Sequence, residues 1–302
     1  MLYDITLAID YDYAATSDRS RTLMRLLPRD LPGEQRVIAR RLGILPRPDE
    51  RREGEDFFGN AMTAAVWHQP ISNLRLTLAL RVERLARVEG ADLSPLLAEL
   101  PGVVADLADL GPDSPHHFTG ASARVPAVPA IAAFARKVVS PGMTARQAIE
   151  ALGRALHKAM RFDSAATSVE TGPEEAFAQK SGVCQDFAHV MIAGLRAAGI
   201  PAGYVSGFLR TLPPPGQPRL EGADAMHAWV RAWAGPVMGW IEFDPTNNQH
   251  AGEDYVVVAR GRDYGDVAPV MGAMRTAGGQ ETRHAVDMIP VTAGQGRVTG
   301  AA

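Results

Sequence analysis

The first third of the chain alternates between apolar and polar residues. From Leu2 to Tyr13 the apolar side chains occupy every second position, which is the spacing of a half-buried strand. Further strands are predicted at residues 21–27, 35–45, 57–68 and 71–85. Short strands separated by proline and glycine, with no helical pattern among them, predict an antiparallel β-sandwich-like domain over residues 1–110.

A helical spacing of apolar residues replaces this alternation in the second part of the chain. The segment 91–122 is predicted to be the domain junction, and helices are predicted at about 127–139 and 145–160. Thr144-x-x-Gln147 at the start of the second helix is a capping-box pattern. Strands follow these helices, so residues 111–302 are predicted to form an α+β core with a C-terminal extension.

The most informative stretch holds Cys184, the only cysteine among 302 residues. Ser181 or Gly182 is predicted to cap a helix start there, and Gly199 followed by Pro201 is predicted to end that helix. The apolar residues at helical spacing between these signals include Phe187, Met191 and Leu195. Cys184 therefore falls in the first turn, where free N–H groups and the helix dipole favour a thiolate nucleophile. The alternative is an inert, buried cysteine.

Two alternating runs, at 227–233 and 240–244, predict a β-hairpin. His227 lies on the first strand and Asp244 on the second. The two side chains share a face only if the hairpin register places them directly opposite or diagonal to each other, and a shift of one residue would separate them. With Cys184 they would supply a nucleophile, a base and a group that orients the base.

Three blocks of sequence resemble the core motifs of the transglutaminase-like superfamily. In chain order they read SGVCQDFAH (181–189), ADAMHAW (223–229) and WIEFDPTN (240–247). The likeness continues through 199–208 and through 261–269, which is typical of the bacterial two-domain branch of this superfamily. The resemblance implies a papain-like α+β core with Cys184, His227 and Asp244 as a catalytic triad. It also implies amide-bond chemistry through a thioester intermediate.

The resemblance leaves three functions open. Hydrolysis of a peptide, amide or isopeptide bond in a peptide or protein substrate is favoured. The alternatives are a transglutaminase that passes the acyl group to an amine, and a non-catalytic binding scaffold. The presence of all three reactive residues argues against the scaffold, because binding alone does not require them.

Several residues near these motifs are further candidates. Substrate binding is predicted for Trp229, Asp263 and Tyr264, although core packing is an equal alternative for Trp229 and a structural role for the other two. Asp186 is predicted to stabilise the start of the cysteine helix. His189 lies about 140° around the helix from Cys184, so a structural role is predicted for it.

The composition and the motifs also bear on the classes of binding partner and on the cellular compartment. A net charge of −3 gives no indication of binding to nucleic acid or to an anionic membrane. No signal peptide or membrane span is recognised. No zinc-binding spacing of cysteines and histidines and no EF-hand loop is recognised either, so neither a metal nor another cofactor is predicted. A single cysteine fits a reducing cytoplasm. The sequence is compatible with a homo-oligomer and does not decide the oligomeric state. The segments 211–222 and beyond Val291 are predicted to be irregular.

Overall fold

The computed structural model describes residues 1–86, 90–211, 224–275 and 278–291. Nearly all of the predicted loop at 211–222 and the whole tail beyond Val291 lie outside these residues.

The strands, in chain order, are β1 (Leu2–Met24), β2 (Gln35–Leu45), β3 (Glu50–Glu55), β4 (Ala61–Trp67), β5 (Ile71–Arg84), β6 (Arg161–Phe162), β7 (Ser181–Gly182), β8 (Ala202–Leu209), β9 (Ala225–Trp233), β10 (Trp240–Asp244), β11 (Gln249–His250), β12 (Tyr255–Gly261), β13 (Val270–Arg275) and β14 (Gln280–Pro290). The helices are α1 (Leu100–Ala105), α2 (Pro129–Val138), α3 (Ala145–Ala159), α4 (Pro173–Gln179), α5 (Cys184–Ala197) and α6 (Tyr264–Val267), with a 3-10 turn at Pro115–Phe118.

The long strand β1 organises the N-terminal sheet, whose strands follow the order β2-β5-β1-β4-β3. The first part of β1 pairs antiparallel with β5 and β14, and its last part pairs antiparallel with β4 and β13. The pairing with β5 shifts register between Asp12 and Ser17, where β1 passes from one set of partners to the other. The predicted antiparallel β-rich domain is confirmed. The separate strands predicted at 2–13 and 21–27 are one strand, because this irregularity does not end the pairing.

The C-terminal strands β13 and β14 return to the N-terminal sheet and pair with β1. Residues 270–290 are therefore strands of that sheet rather than an extension of the core. Their sequence signal is weak, since only Val286 and Met288 of β14 are buried. Strand β3 was missed for a related reason, because each of its residues is exposed and it shows no apolar alternation.

The core is a second antiparallel sheet, with the order β11-β10-β9-β8-β12, and helix α5 packs on strands β8 and β9. Helices α2 and α3 pack in turn on α5. Residues 185–195 of α5 are all buried, the polar ones included, so the helix is surrounded by protein on every side. The predicted α+β core is thereby confirmed. The longest of these helices has 15 residues, and no helix in the described ranges has the length and hydropathy of a membrane span.

Two amide side chains, Gln35 on β2 and Asn60 just before β4, form hydrogen bonds with the backbone of the edge strand β12 in the pattern of a neighbouring strand. Gln35 donates to the carbonyl of Val257 at 2.9 Å and accepts the N–H of the same residue at 2.8 Å. Asn60 makes the same two contacts with the backbone of Arg260, each at 2.8 Å. Both amides are buried. They therefore satisfy backbone groups that an edge strand would otherwise leave unpaired, and they fasten the N-terminal sheet to the core.

We expect Asn60→Ala to lower the free energy of unfolding by about 1–3 kcal/mol, because it leaves a buried N–H and a buried carbonyl of Arg260 without partners. Urea unfolding followed by circular dichroism measures the change. Asn73→Ala is the matched control, since Asn73 is exposed and its side chain donates to the neighbouring Ser72. Equal losses in the two variants would contradict the assigned role of Asn60.

Candidate active site

Helix α5 begins at Cys184, and this half-buried residue occupies its first turn as the sequence predicts. The helix cap is the extended residue Val183, so the predicted caps Ser181 and Gly182 are wrong. Those two residues form β7, which pairs with β6 and so cannot turn into the helix. Cys184 is therefore the first residue of α5, at the end of the helix where free backbone N–H groups and the helix dipole favour negative charge.

Asp186 supplies the capping contact that Val183 cannot make. Its Oδ2 accepts the backbone N–H of Val183 at 2.8 Å and the hydroxyl of Thr167 at 2.6 Å. A Cβ at Gly182 would lie only 2.5 Å from this oxygen, which requires glycine at that position. Burial raises the pKa of Asp186 above its usual value, although both hydrogen bonds act in the opposite direction. The contact supports the predicted role of Asp186 at the helix start.

The hairpin of β9 and β10 has a register that lets His227 reach Asp244. Trp233 pairs with Trp240 and Val230 with Phe243. Continuing this register puts His227 diagonal to Asp244 on the same face, which is one of the two arrangements that allow contact. The Nε2 of His227 lies 2.7 Å from Oδ2 of Asp244.

The carboxylate of Asp244 is fully buried and heavily hydrogen-bonded. Besides His227, its Oδ2 accepts from the side-chain amide of Asn247 at 2.7 Å and from the hydroxyl of Tyr255 at 2.8 Å. Its Oδ1 accepts the backbone N–H of Thr246 at 2.8 Å. Burial alone would raise the pKa of Asp244, but contacts with His227, Asn247 and Tyr255 hold it below its usual value. Asp244 is therefore an anion fixed in one orientation.

His227 is held between two acidic side chains. Burial tends to lower its pKa, but hydrogen bonds and negative charge from Asp244 and Cys184 raise the pKa to about 10. Because Nε2 binds Asp244, the remaining ring nitrogen, Nδ1, is the one available to Cys184. The structure thus brings the three predicted residues Cys184, His227 and Asp244 together.

Trp229 is buried against the ring of His227 and does not lie at the surface. The two rings are stacked, with centroids 6.2 Å apart and planes inclined by 25°, and Trp229 is 0% exposed. Its indole N–H donates to Oε2 of Glu242 at 2.9 Å. Sequence analysis missed Glu242 as part of the site. Its position two residues before Asp244 on the same strand was the available signal, since it places both carboxylates on one face.

Asp263 is buried and holds backbone groups in place. Its Oδ1 accepts the N–H of Gly265 at 2.8 Å, which caps α6, and its Oδ2 accepts the N–H of Arg124 at 2.8 Å.

Tyr255, whose hydroxyl donates to Asp244, is a second residue of the site that sequence analysis missed, and no motif in the sequence marked it.

Tyr264 joins α6 to the cysteine helix. Its backbone N–H donates to Nε2 of His189 at 3.1 Å, and its ring contacts Tyr204 with centroids 6.2 Å apart. Burial lowers the pKa of His189 to about 4, so the imidazole is neutral at pH 7 and can accept this bond. Among Trp229, Asp263 and Tyr264, only Tyr264 keeps a partly exposed side chain. Substrate binding by these three residues stays a prediction.

No group of three or more histidine, cysteine, aspartate or glutamate side chains in the described ranges is arranged to hold a metal ion. The adjacent His116 and His117 instead contact the backbone carbonyls of Leu107 and Leu110.

Comparison with known proteins gives matches over both parts of the chain. The family model for the bacterial transglutaminase-like N-terminal region matches residues 3–83, and the model for the transglutaminase-like superfamily core matches residues 132–245. An uncharacterized protein of Mycobacterium tuberculosis (strain ATCC 25618 / H37Rv) is 34% identical over 286 residues, which cover 91% of this chain and 88% of that protein.

Two further comparisons concern the fold and the core. A crystal structure from Cytophaga hutchinsonii, of a protein described only provisionally as a cysteine protease, superposes with a TM-score of 0.73. The superposition covers 96% of this chain and 90% of the crystallised chain, and the two sequences are 21% identical, so the likeness concerns the fold. A protein-glutamine gamma-glutamyltransferase of Pseudomonas aeruginosa is 40% identical over 82 residues, which are 27% of this chain and 12% of that protein.

We expect the imidazole of His227 to stay protonated well above pH 7 in the folded protein, and its pKa to fall in Cys184→Ala because one of the groups that raise it is removed. NMR titration of histidine-labelled protein measures both values. The folded pKa of about 10 exceeds the unfolded value of about 6.5. Protonated His227 therefore stabilises the fold fully below about pH 6.5, and this contribution is lost as the pH rises toward the folded pKa.

His227→Gln assigns the resonance, and the exposed His68 serves as an internal control whose signal should be the same in parent and variant. A His227 signal that titrates near pH 6.5 in both proteins would contradict the described electrostatics.

Proposed function

Because the chain belongs to the transglutaminase-like superfamily, we propose that it is a cysteine enzyme that hydrolyses amide bonds in peptides or proteins. In this proposal Cys184 is the nucleophile, His227 the general base and acid, and Asp244 the residue that orients the histidine. One observation carries the proposal: the imidazole of His227 interacts with Asp244 at 2.7 Å and, on its other side, with a cysteine in the first turn of a helix.

The first step forms a thioester. The thiolate of Cys184 attacks the carbonyl carbon of the substrate, and the π electrons of the carbonyl move to its oxygen. Backbone N–H groups at the start of α5 stabilise the resulting oxyanion, because they point out of the helix without intrahelical partners. The C–N bond then breaks, and the leaving amine takes the proton from His227. Asp244 keeps the imidazole oriented during both protonation states.

The second step releases the acyl group. Water attacks the thioester carbonyl while the now neutral His227 accepts its proton. The C–S bond breaks, which yields a carboxylic acid and regenerates the thiolate beside the imidazolium. If an amine enters in place of water, the same steps give a new amide, which is the reaction of a transglutaminase. We favour water, and the experiment below distinguishes the two acceptors.

The proposal includes a reducing compartment such as the cytoplasm. A nucleophilic thiolate in the first turn of a helix is also readily oxidised, so its activity depends on surroundings that keep it reduced. Neither a metal ion nor another cofactor takes part in the proposed steps.

We expect incubation with a mixture of blocked glutamine- and lysine-containing peptides to produce a thioester adduct on Cys184 and to release carboxylic acid. Cys184→Ala should abolish both products, and His227→Gln should slow turnover by about 10²–10⁴-fold, because the proton transfers lose their carrier. Intact-protein mass spectrometry detects the adduct, and peptide mass spectrometry detects the released products. His284→Gln is the matched control, because His284 is an exposed histidine on β14.

A fluorescent primary amine in the same mixture identifies the acceptor. Hydrolysis with little amine incorporation supports the proposal, whereas incorporation as the main outcome would make the protein a transglutaminase. A parent protein that forms no adduct and turns over no peptide would support the non-catalytic scaffold instead.

A further inference from the structure

The ring of Trp229 packs against the pair formed by His227 and Asp244. It stacks on His227 and meets the ring of Tyr255 edge to face, with centroids 5.2 Å apart. It also crosses strand β8 at Gly207, the residue that pairs directly with His227, where a Cβ would approach the indole to 2.5 Å. Trp229 therefore contacts His227 itself and Tyr255, which donates to Asp244. Any rotation of the indole would move the surface on which the imidazole rests.

The orientation of the indole is fixed by a buried charge. Its N–H donates to Oε2 of Glu242 at 2.9 Å, and Glu242 is itself only 5% exposed. Burial would raise the pKa of this carboxylate, but the guanidinium groups of Arg260 and Arg84 lower it to about 2. Glu242 is thus an anion at neutral pH, which makes its hydrogen bond with Trp229 charge-assisted and stronger than a neutral one.

Part of the positive charge that holds Glu242 comes from the N-terminal sheet. Arg84, at the end of β5, lies 3.6 Å from Oε2 of Glu242 and is buried. Arg260 of β12 donates to Glu242 and also to Glu34, which precedes β2. A buried carboxylate without such partners would be strongly destabilising. The carboxylate that orients Trp229 is therefore held by residues of both sheets.

We propose that Trp229 and Glu242 are positioning residues for His227, and that Arg84 of the N-terminal sheet holds them in place. On this view the N-terminal sheet helps to orient the imidazole between Cys184 and Asp244, and so contributes to the reactivity of the thiol without touching the substrate. The inference rests on the proposed function, because it assigns these residues to the orientation of a catalytic histidine. It also gives the N-terminal sheet a role beyond that of a separate folded module.

The test measures the rate of Cys184 alkylation by iodoacetamide against pH, which needs no knowledge of the substrate. We expect Trp229→Phe to move the pH profile upward by about one unit, so that alkylation near pH 6 is about tenfold slower. Phenylalanine keeps an aromatic ring but cannot donate to Glu242. Trp233→Phe is the matched control, since Trp233 is a buried tryptophan on the same strand and face.

Substitutions at Arg84 test the contribution of the N-terminal sheet. Arg84→Met should shift the profile in the same direction, and Arg84→Lys should restore part of the parental profile because it returns the positive charge. A residue with a merely structural role would lower stability without moving the pH profile. Circular dichroism at the assay temperature confirms that each variant compared is folded, and Glu242→Gln provides a further variant with little change in shape.

The outcomes separate this inference from the proposed function. If the parent lacks a thiol that reacts at low pH, the proposed function fails. If the parent has such a thiol, and Trp229→Phe and Arg84→Met give the same profile as Trp233→Phe, the positioning role is overturned while the proposed function stands. An upward shift in both variants, with partial recovery in Arg84→Lys, supports the inference.

Discussion

The hydrogen bond between His227 and Asp244 is the interaction on which the rest of the site depends. It joins neighbouring strands of one hairpin and exists only in a register that brings both side chains to the same face. The carboxylate is fully buried, so the strand, the following turn and Tyr255 must all supply hydrogen-bond donors. This arrangement keeps Asp244 ionised and supports a protonated imidazole beside Cys184. A displaced hairpin would leave a buried carboxylate without its partner, which is strongly unfavourable.

The two sheets are more closely joined than the order of the chain implies. The amides of Gln35 and Asn60 complete the edge of β12, and strands β13 and β14 run back to pair with β1. Together these contacts bury the polar edge of the core sheet under the N-terminal sheet. The ionic cluster of Arg84, Arg260 and Glu242 lies in the same region. The face of the core sheet that carries His227 is thus covered partly by residues of the N-terminal sheet.

Much of this could be predicted from the sequence because the signals are local. Periodicity placed α3 and the hairpin nearly to the residue, and alternation reduced the question of whether His227 meets Asp244 to two registers. The first-turn position of Cys184 was predicted from the cap candidates Ser181 and Gly182, the apolar stripe of α5 and the end signal at Gly199, which has a positive φ of 81°. The position is correct although the cap is Val183. Such features depend on neighbours within a few residues, where spacing determines geometry.

The remainder depends on contacts distant in sequence, which spacing does not reveal. Ser181 and Gly182 have good capping residue types, but their pairing with β6 excludes them from that role. Trp229 is a candidate for substrate binding from its place in the motif, yet its hydrogen bond with Glu242 and the packing around it hold the ring in the interior. Strands β13 and β14 carry little apolar alternation of their own, and of β14 only Val286 and Met288 are buried.

The most direct test of the central claim is the pH dependence of Cys184 alkylation in the parent and in His227→Ala. If His227 holds the sulfur as a thiolate, the parent should react rapidly far below the ordinary cysteine range of about 8.5, and the variant should lose this reactivity at low pH. A parent thiol that is unreactive, or one whose profile is the same in His227→Ala, would contradict the account.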